Sequence, residues 1–109
     1  MAKFRYRMQN ILNIKEKLEM QAKNEFAAAN MELLEEQERL SVMLQENAAL
    51  QEEGRKLRQK ESLSIRDIAD NSLSVSLMKE KMKRQALAIH RAEQKVEEKR
   101  KAMTDLMQE

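Results

Sequence analysis

Residues 68–103 read IADNSLSVSLMKEKMKRQALAIHRAEQKVEEKRKAM, with an apolar side chain at every seventh position. These positions are Ile68, Val75, Met82, Ile89, Val96 and Met103. An apolar residue repeated at this interval is typical of a helix that packs lengthwise against another helix in a coiled coil. The second core position of each heptad is predicted to be weaker. It would hold Ser72, Lys79, Ala86, Glu93, Arg100 and Met107, with Met78, Ala92 and Leu106 on its other side.

The first half of the chain has a different apolar spacing. Its row alternates steps of seven and four residues, through Ile11, Leu18, Ala22, Ala29, Leu33, Leu40 and Leu44. This 11-residue repeat predicts a first helix over about 4–53. Gly54 is the only glycine and is expected to end that helix. The turn is predicted at about 55–64, and Ser64 with Asp67 resembles a capping box that opens a second helix over about 65–109.

The charges indicate how the two helices pair. Residues 24–53 hold eight acids and one base, whereas residues 79–101 hold nine bases and four acids. A turn near residue 60 lays the acidic block beside the basic block, while a parallel dimer would place acid beside acid. Single exposed ion pairs stabilise little, but flanking charges select helix orientation. We therefore predict an all-α fold with two long helices in an antiparallel coiled-coil hairpin. It would form a single domain over 1–109 and be a monomer in isolation.

The predicted hairpin leaves the start of helix 1 without a neighbour. With a turn near residue 60, residues 4–11 would lie opposite positions 109–116, and the chain has 109 residues. Phe4, Met8 and Ile11 are therefore expected to extend beyond the end of helix 2.

Composition argues against catalysis. The chain is 37% charged and 3% aromatic, with one glycine and no cysteine. One histidine, His90, cannot build a zinc site alone and is expected at the surface. A glycine-rich phosphate loop is excluded, and a hairpin has no pocket from which water is excluded. We expect no enzyme activity and no catalytic, cofactor-binding or metal-binding residues.

Charge and hydropathy also limit the partners. The net charge of +2 is too balanced for a dedicated nucleic-acid binder. No apolar run approaches the length of about 20 residues that a transmembrane helix needs. The chain is therefore expected to bind no nucleic acid and to have no transmembrane span.

Two groups of residues are candidates for binding other proteins. Leu73 and Leu77 lie off the predicted seam, and exposed apolar stripes mark partner sites, although scattered exposed leucines are ordinary. At the N-terminus, Arg5 and Arg7 interleave with Phe4 and Tyr6. This basic-aromatic run either meets an acidic protein surface or is simply solvated.

The N-terminal stretch FRYRMQNILNIK at 4–15, followed by KLE at 17–19 and QAK at 21–23, resembles the FliJ family of flagellar export proteins. The resemblance implies a cytoplasmic protein, peripheral to the membrane at the base of the flagellum, in the type III export apparatus. It also implies a coiled coil similar to that of the rotary ATPase γ subunit. Its partners would be the export ATPase (FliI) hexamer, the export gate protein FlhA and export chaperones. Family members are usually longer, so this chain is expected to be a short or trimmed form.

Carried onto this sequence, the resemblance implies two binding regions. The end with the termini would face the ATPase, through Phe4, Arg5, Arg7, Met8, Ile11, Met103 and Leu106. Leu73 and Leu77 would face the gate protein. Two alternatives remain: a structural coiled coil that self-associates without an export role, and a binder of nucleic acid or membrane surfaces through the basic patches.

Overall fold

The computed structural model of the chain describes residues 2–108 and contains two helices. Helix α1 spans Ala2–Gln59 and helix α2 spans Ile65–Gln108, with no strand among the described residues. The contacts between the helices fall into two units. The first joins α1 up to Leu33 with α2 from Ala92 onward, and the second is Leu34–Arg91. In each unit the two helices are antiparallel, which confirms the predicted all-α helical hairpin.

The second unit shows the direction of pairing through two buried amides. Asn71 donates a hydrogen bond to the Leu50 carbonyl at 2.8 Å, and Gln85 donates to the Glu36 carbonyl at 2.7 Å. Later residues of α2 thus meet earlier residues of α1. The less exposed positions step by three and four residues on both helices. On α1 they are Glu36, Leu40, Met43, Asn47, Leu50, Gly54 and Leu57; on α2 they are Ile68, Asn71, Val75, Met78, Met82, Gln85 and Ile89 (with Ala88 beside them).

The first unit has the same pattern with more charge. Lys95 pairs with Glu32 at 3.0 Å, and Lys99 pairs with Glu25 at 3.2 Å, so basic side chains of α2 meet acidic side chains of α1 as predicted. The less exposed positions of α1 are Lys15, Glu19, Ala22, Phe26, Ala29, Asn30 and Leu33. Those of α2 are Ala92, Val96, Lys99, Met103, Thr104 and Leu106.

The seam of α1 confirms the predicted row at Ala22, Ala29, Leu33 and Leu40 and differs from it elsewhere. Ile11, Leu18 and Leu44 are exposed, and polar residues such as Glu36 and Asn47 take seam positions at heptad spacing. A helix that packs along a heptad partner must present side chains at the same average interval of 3.5 residues. This geometric requirement outweighs the apolarity of single residues.

The first core row of α2 is confirmed, whereas the predicted second row is wrong by one residue. Its members, Ser72, Lys79, Ala86, Glu93, Arg100 and Met107, are all exposed. The actual second row is Asn71, Met78, Gln85, Ala92, Lys99 and Leu106. Half of this row consists of residues with amide or ammonium groups, and the amides hydrogen-bond to α1. Because the row is only partly apolar, hydropathy alone does not predict it.

Gly54 does not end the first helix, which corrects the predicted boundary at 53 and the predicted turn at 55–64. Helix α1 continues to Gln59, and the connection is residues 60–64. Gly54 has no positive φ and is buried against α2. A helical glycine costs about 1 kcal/mol relative to alanine. Here its missing side chain makes room for Asn71.

Helix α2 begins where the sequence predicts. The Ser64 hydroxyl accepts a hydrogen bond from the Asp67 backbone N–H at 3.3 Å, as an N-cap residue does. Asp67 adds negative charge to the first turn, where the helix dipole favours it. The predicted ends of the domain, Met1 and Glu109, lie outside the described residues.

Candidate partner-binding surfaces

The start of α1 is a helix with no covered face. Every residue from 2 to 14 is exposed, which confirms the expectation that this segment extends beyond its neighbour. We define the N-terminal strip as Phe4, Met8, Ile11, Leu12 and Ile14, which are between 46% and 68% exposed. At about 100° per residue, these five side chains occupy an arc of roughly 160° on the helix. Such an arc is typical of a helix face that packs against something.

The charge of this segment has one sign. Lys3, Arg5 and Arg7 are the only charged residues between 2 and 14, so the segment carries three positive charges and no negative one. Arg7 falls inside the apolar arc of the N-terminal strip, whereas Lys3 and Arg5 fall at its edges. The surface therefore suits a partner that combines apolar contact area with acidic groups.

Met103 and Leu106 are not part of that exposed surface. Both are half-buried on the seam of α2 in the first unit. The ion pair between Lys99 and Glu25 places these two residues opposite each other on the antiparallel helices. Gln108, nine residues after Lys99, therefore lies about opposite residue 16, nine residues before Glu25. At 1.5 Å per residue, Ile11 lies about 7 Å beyond that point and Phe4 about 18 Å beyond it. Phe4, Arg5, Arg7, Met8 and Ile11 thus lie together, but the structure does not bring Met103 and Leu106 into their surface.

Leu73 and Leu77 are exposed, as predicted. They are 60% and 58% exposed and stand one helical turn apart on α2, in the second unit. Residues four apart on a helix are neighbours, so the two leucines form one small apolar patch.

Sequence reasoning missed the buried polar residues of the seam. Asn71 is 6% exposed and Gln85 is 8% exposed. The Gln85 amide donates to both the carbonyl and the carboxylate of Glu36, each at 2.7 Å, and Arg39 pairs with the same carboxylate. The interval of 14 residues between the two amides, two heptads, is the signal that could have revealed them. Buried polar groups of this kind fix the register of a coiled coil.

The perturbed carboxyl groups belong to surface ion pairs. A hydrogen bond from Lys99 lowers the pKa of Glu25, and a hydrogen bond from Gln21 contributes. Hydrogen bonds from Arg55 and Arg100 lower the pKa of Glu52 and Glu97, respectively. All three carboxyl groups lie on open helix surface, where such pairs select orientation more than they stabilise.

The described part of the chain shows neither a cluster of metal ligands nor a helix that could cross a membrane. His90 is exposed, and residues 2–108 contain no group of three or more histidine or acidic side chains arranged to hold a metal ion. Neither α1 nor α2 combines the length and the apolarity that crossing a membrane requires.

Comparisons of the chain with models of protein families, with curated proteins and with solved structures found no match.

Proposed function

We propose that this chain is a helical adaptor of the bacterial flagellar type III export apparatus, acting by binding rather than by catalysis. The observation that carries the proposal is the N-terminal strip, which α2 does not cover. It is an apolar helix face, and all the charged residues beside it are basic. The same residues hold the stretch that resembles the FliJ family, and the helical hairpin agrees with the coiled coil that the resemblance implies.

In this proposal the N-terminal strip binds the export ATPase hexamer. Phe4, Met8 and Ile11 supply apolar contact, and Arg5 and Arg7 pair with acidic groups of the ATPase. Leu73 and Leu77 bind the export gate protein, and export chaperones are further partners. The chain then works in the cytoplasm, as a monomer peripheral to the membrane at the base of the flagellum.

The experiment is a pull-down against the export ATPase with a parallel measurement of ATP hydrolysis. The chain should bind the hexamer and change its rate of hydrolysis, and Phe4→Ser with Ile11→Ser should remove both effects. Met20→Ser with Met31→Ser is the matched control, because these methionines are 60% and 59% exposed on the same helix. If neither binding nor hydrolysis responds to the unaltered chain, the proposal is wrong.

The contact with the gate protein is tested separately. Leu73→Lys with Leu77→Lys should abolish binding to the gate protein without lowering helicity, because both leucines are exposed. Binding that survives this double substitution would rule out the leucine patch as the gate contact.

The second candidate function is a structural coiled coil that self-associates. It is favoured by large apolar residues exposed in both units, such as Met31 in the first and Leu87 in the second. Sedimentation over a range of concentrations separates the two functions. The adaptor should remain a monomer, whereas the structural coiled coil should form oligomers as concentration rises.

A further inference from the structure

The second unit has two sides, and their charges differ sharply. On each helix, the residues that directly precede the seam residues in sequence form a row along one side of the seam. The residues that directly follow the seam residues form a row along the other side. The two rows before the seam lie together, since Val42 and Glu46 of α1 line the same surface depression as Lys81 of α2. The two rows after the seam lie together as well, since Gln51 and Ser72 line another depression.

The side formed by the rows before the seam carries complementary charges. Glu46 of α1 and Lys81 of α2 line its depression, and Glu35 and Arg84 belong to the same two rows. This side therefore carries charges of both signs.

The side formed by the rows after the seam is different, and we call it the basic groove. Its α1 wall consists of the residues directly after seam positions, namely Leu34, Gln37, Ser41, Leu44, Ala48, Gln51, Arg55 and Arg58. Its α2 wall consists in the same way of Ala69, Ser72, Ser76, Lys79, Lys83, Ala86 and His90. Neither wall contains an acidic residue, whereas Arg55 and Arg58 lie on the α1 wall and Lys79 and Lys83 on the α2 wall. Within residues 2–108, Lys79 makes no salt bridge, and Lys83 reaches only Glu80 of its own helix, at 3.4 Å. Arg55 already pairs with Glu52 of its own helix, so Lys79, Lys83 and Arg58 are the charges left for a partner.

The shape of the basic groove suits a third helix. Small residues occupy much of both walls, with Ser41 and Ala48 on α1 and Ser72 and Ser76 on α2, and all four are exposed. Small side chains let another backbone approach closely. Leu34 and Leu44 also stand on the α1 wall, 59% and 53% exposed, and would otherwise remain in water. An amphipathic helix in a groove is held by apolar contacts at such intervals.

From the groove's shape and charge we propose that the basic groove binds an amphipathic helix of a partner protein, one whose apolar stripe is flanked by acidic residues. The apolar stripe covers Leu34 and Leu44, and the flanking carboxylates pair with Lys79 and Lys83 of α2 and with Arg58 of α1. The result is a three-helix assembly in this unit. Charge complementarity selects this occupant over a basic helix. The inference does not depend on the proposed export role, because it uses neither the N-terminal strip nor the patch of Leu73 and Leu77.

The test uses the whole chain and a labelled synthetic peptide of four heptads, with leucine at both seam positions and glutamate at the flanking positions. Fluorescence anisotropy should report saturable binding. Lys79→Glu with Lys83→Glu should weaken this binding about tenfold and favour a peptide with lysine in place of glutamate. The matched control is Lys81→Glu with Arg84→Glu, the same change of charge on the opposite side of α2, which should alter binding less than threefold. Circular dichroism checks that every variant keeps its helicity.

Several outcomes would overturn the inference. Equal weakening by the two double variants would mean that the peptide responds only to net charge. Undiminished binding of a peptide with glutamine in place of every leucine would reveal a general polyanion surface. A concentration-dependent dimer that Lys79→Glu with Lys83→Glu dissociates would assign the groove to a second copy of this chain. Absence of any peptide binding at millimolar concentration would leave the groove without the proposed occupant.

Discussion

Asn71 of α2 lies over Gly54 of α1 and reaches the backbone that a side chain at residue 54 would cover. Its amide donates to the Leu50 carbonyl at 2.8 Å, and its Cγ lies 3.2 Å from the place where a β-carbon on Gly54 would stand. Both residues are buried. Because only one alignment of the helices brings this asparagine to the only glycine, the pair fixes the register of the second unit.

Gly54→Ala should destabilise the hairpin, contrary to the usual effect of alanine in a helix. Alanine adds about 1 kcal/mol of helix propensity. Its methyl group would displace Asn71, and a buried amide that loses its partner costs about 1–3 kcal/mol. We expect a net loss of about 1 kcal/mol in the free energy of unfolding, measured by urea denaturation followed by circular dichroism.

Two further variants make that result specific. Asn71→Ala should remove most of the penalty of Gly54→Ala, so that the double variant is more stable than the sum of the two single changes predicts. Ala49→Gly calibrates the propensity term, since Ala49 is an exposed residue of the same helix. A higher midpoint for Gly54→Ala than for the unaltered chain would contradict the proposed role of the pair.

Asn47→Leu should stabilise the hairpin. Asn47 occupies a seam position, and its buried Oδ1 has no hydrogen-bond partner among the described residues. Burying an unpaired polar oxygen costs about 1–3 kcal/mol, and leucine at a seam position adds apolar contact. We expect a gain of about 1 kcal/mol in the free energy of unfolding, measured by thermal and urea denaturation.

The matched comparison is Asn71→Leu, which makes the same change at another seam position. It should destabilise, because leucine cannot donate to the Leu50 carbonyl and its branched end would meet the backbone at Gly54. If both substitutions shift stability in the same direction, the hydrogen bond of Asn71 is not what distinguishes the two sites.

The fold could be predicted from the sequence where seam residues are apolar, and not where they are polar. The row from Ile68 to Met103 was predicted correctly, because each member is apolar and the interval is constant. The second row of α2 was not, and the α1 row was predicted only in part, because Gln85 and Glu36 belong to the seam only through a contact between residues 49 positions apart. Periodicity within one stretch of sequence contains no such pairing.

The candidate surfaces divide in a similar way. Exposure of Phe4 and Ile11 followed from the position of the turn, and exposure of Leu73 and Leu77 followed from the heptads. The basic groove could not be predicted, because its two walls lie on different helices. Which residues form each wall depends on the seam of that helix, and the seam of α1 was predicted only in part. What binds to any of these surfaces depends on the partner's chemistry, which patterns within this chain do not specify.

Phe26→Ala and Phe4→Ala should separate the packed part of α1 from its exposed start. Phe26 is half-buried on the seam of the first unit, whereas Phe4 is 68% exposed. Removing a partly buried phenylalanine should cost about 2–3 kcal/mol, and removing an exposed one less than about 0.5 kcal/mol. Urea denaturation measures both. Comparable losses for the two variants would mean that residues 2–14 contact the rest of the chain in solution.

The pair Glu25–Lys99 should make part of the hairpin's stability depend on pH. The hydrogen bond from Lys99, aided by Gln21, lowers the pKa of Glu25 in the folded chain. A carboxyl group of this kind contributes stability above its unfolded pKa, about 4.3, and the contribution is lost as pH falls through the lowered pKa. Glu25→Gln should therefore lower the melting temperature at pH 7, and the difference from the unaltered chain should disappear in strong acid.

A salt titration supplies the control for this electrostatic assignment. Both side chains are solvent-accessible, with Lys99 33% exposed and Glu25 44% exposed. At about 1 M salt the screening length falls to roughly 3 Å, so the difference between Glu25→Gln and the unaltered chain at pH 7 should shrink. If that difference persists at high salt and in strong acid, Glu25 stabilises the hairpin by packing along α2. The ion pair with Lys99 would then be a consequence of the helix register and would not itself stabilise the hairpin.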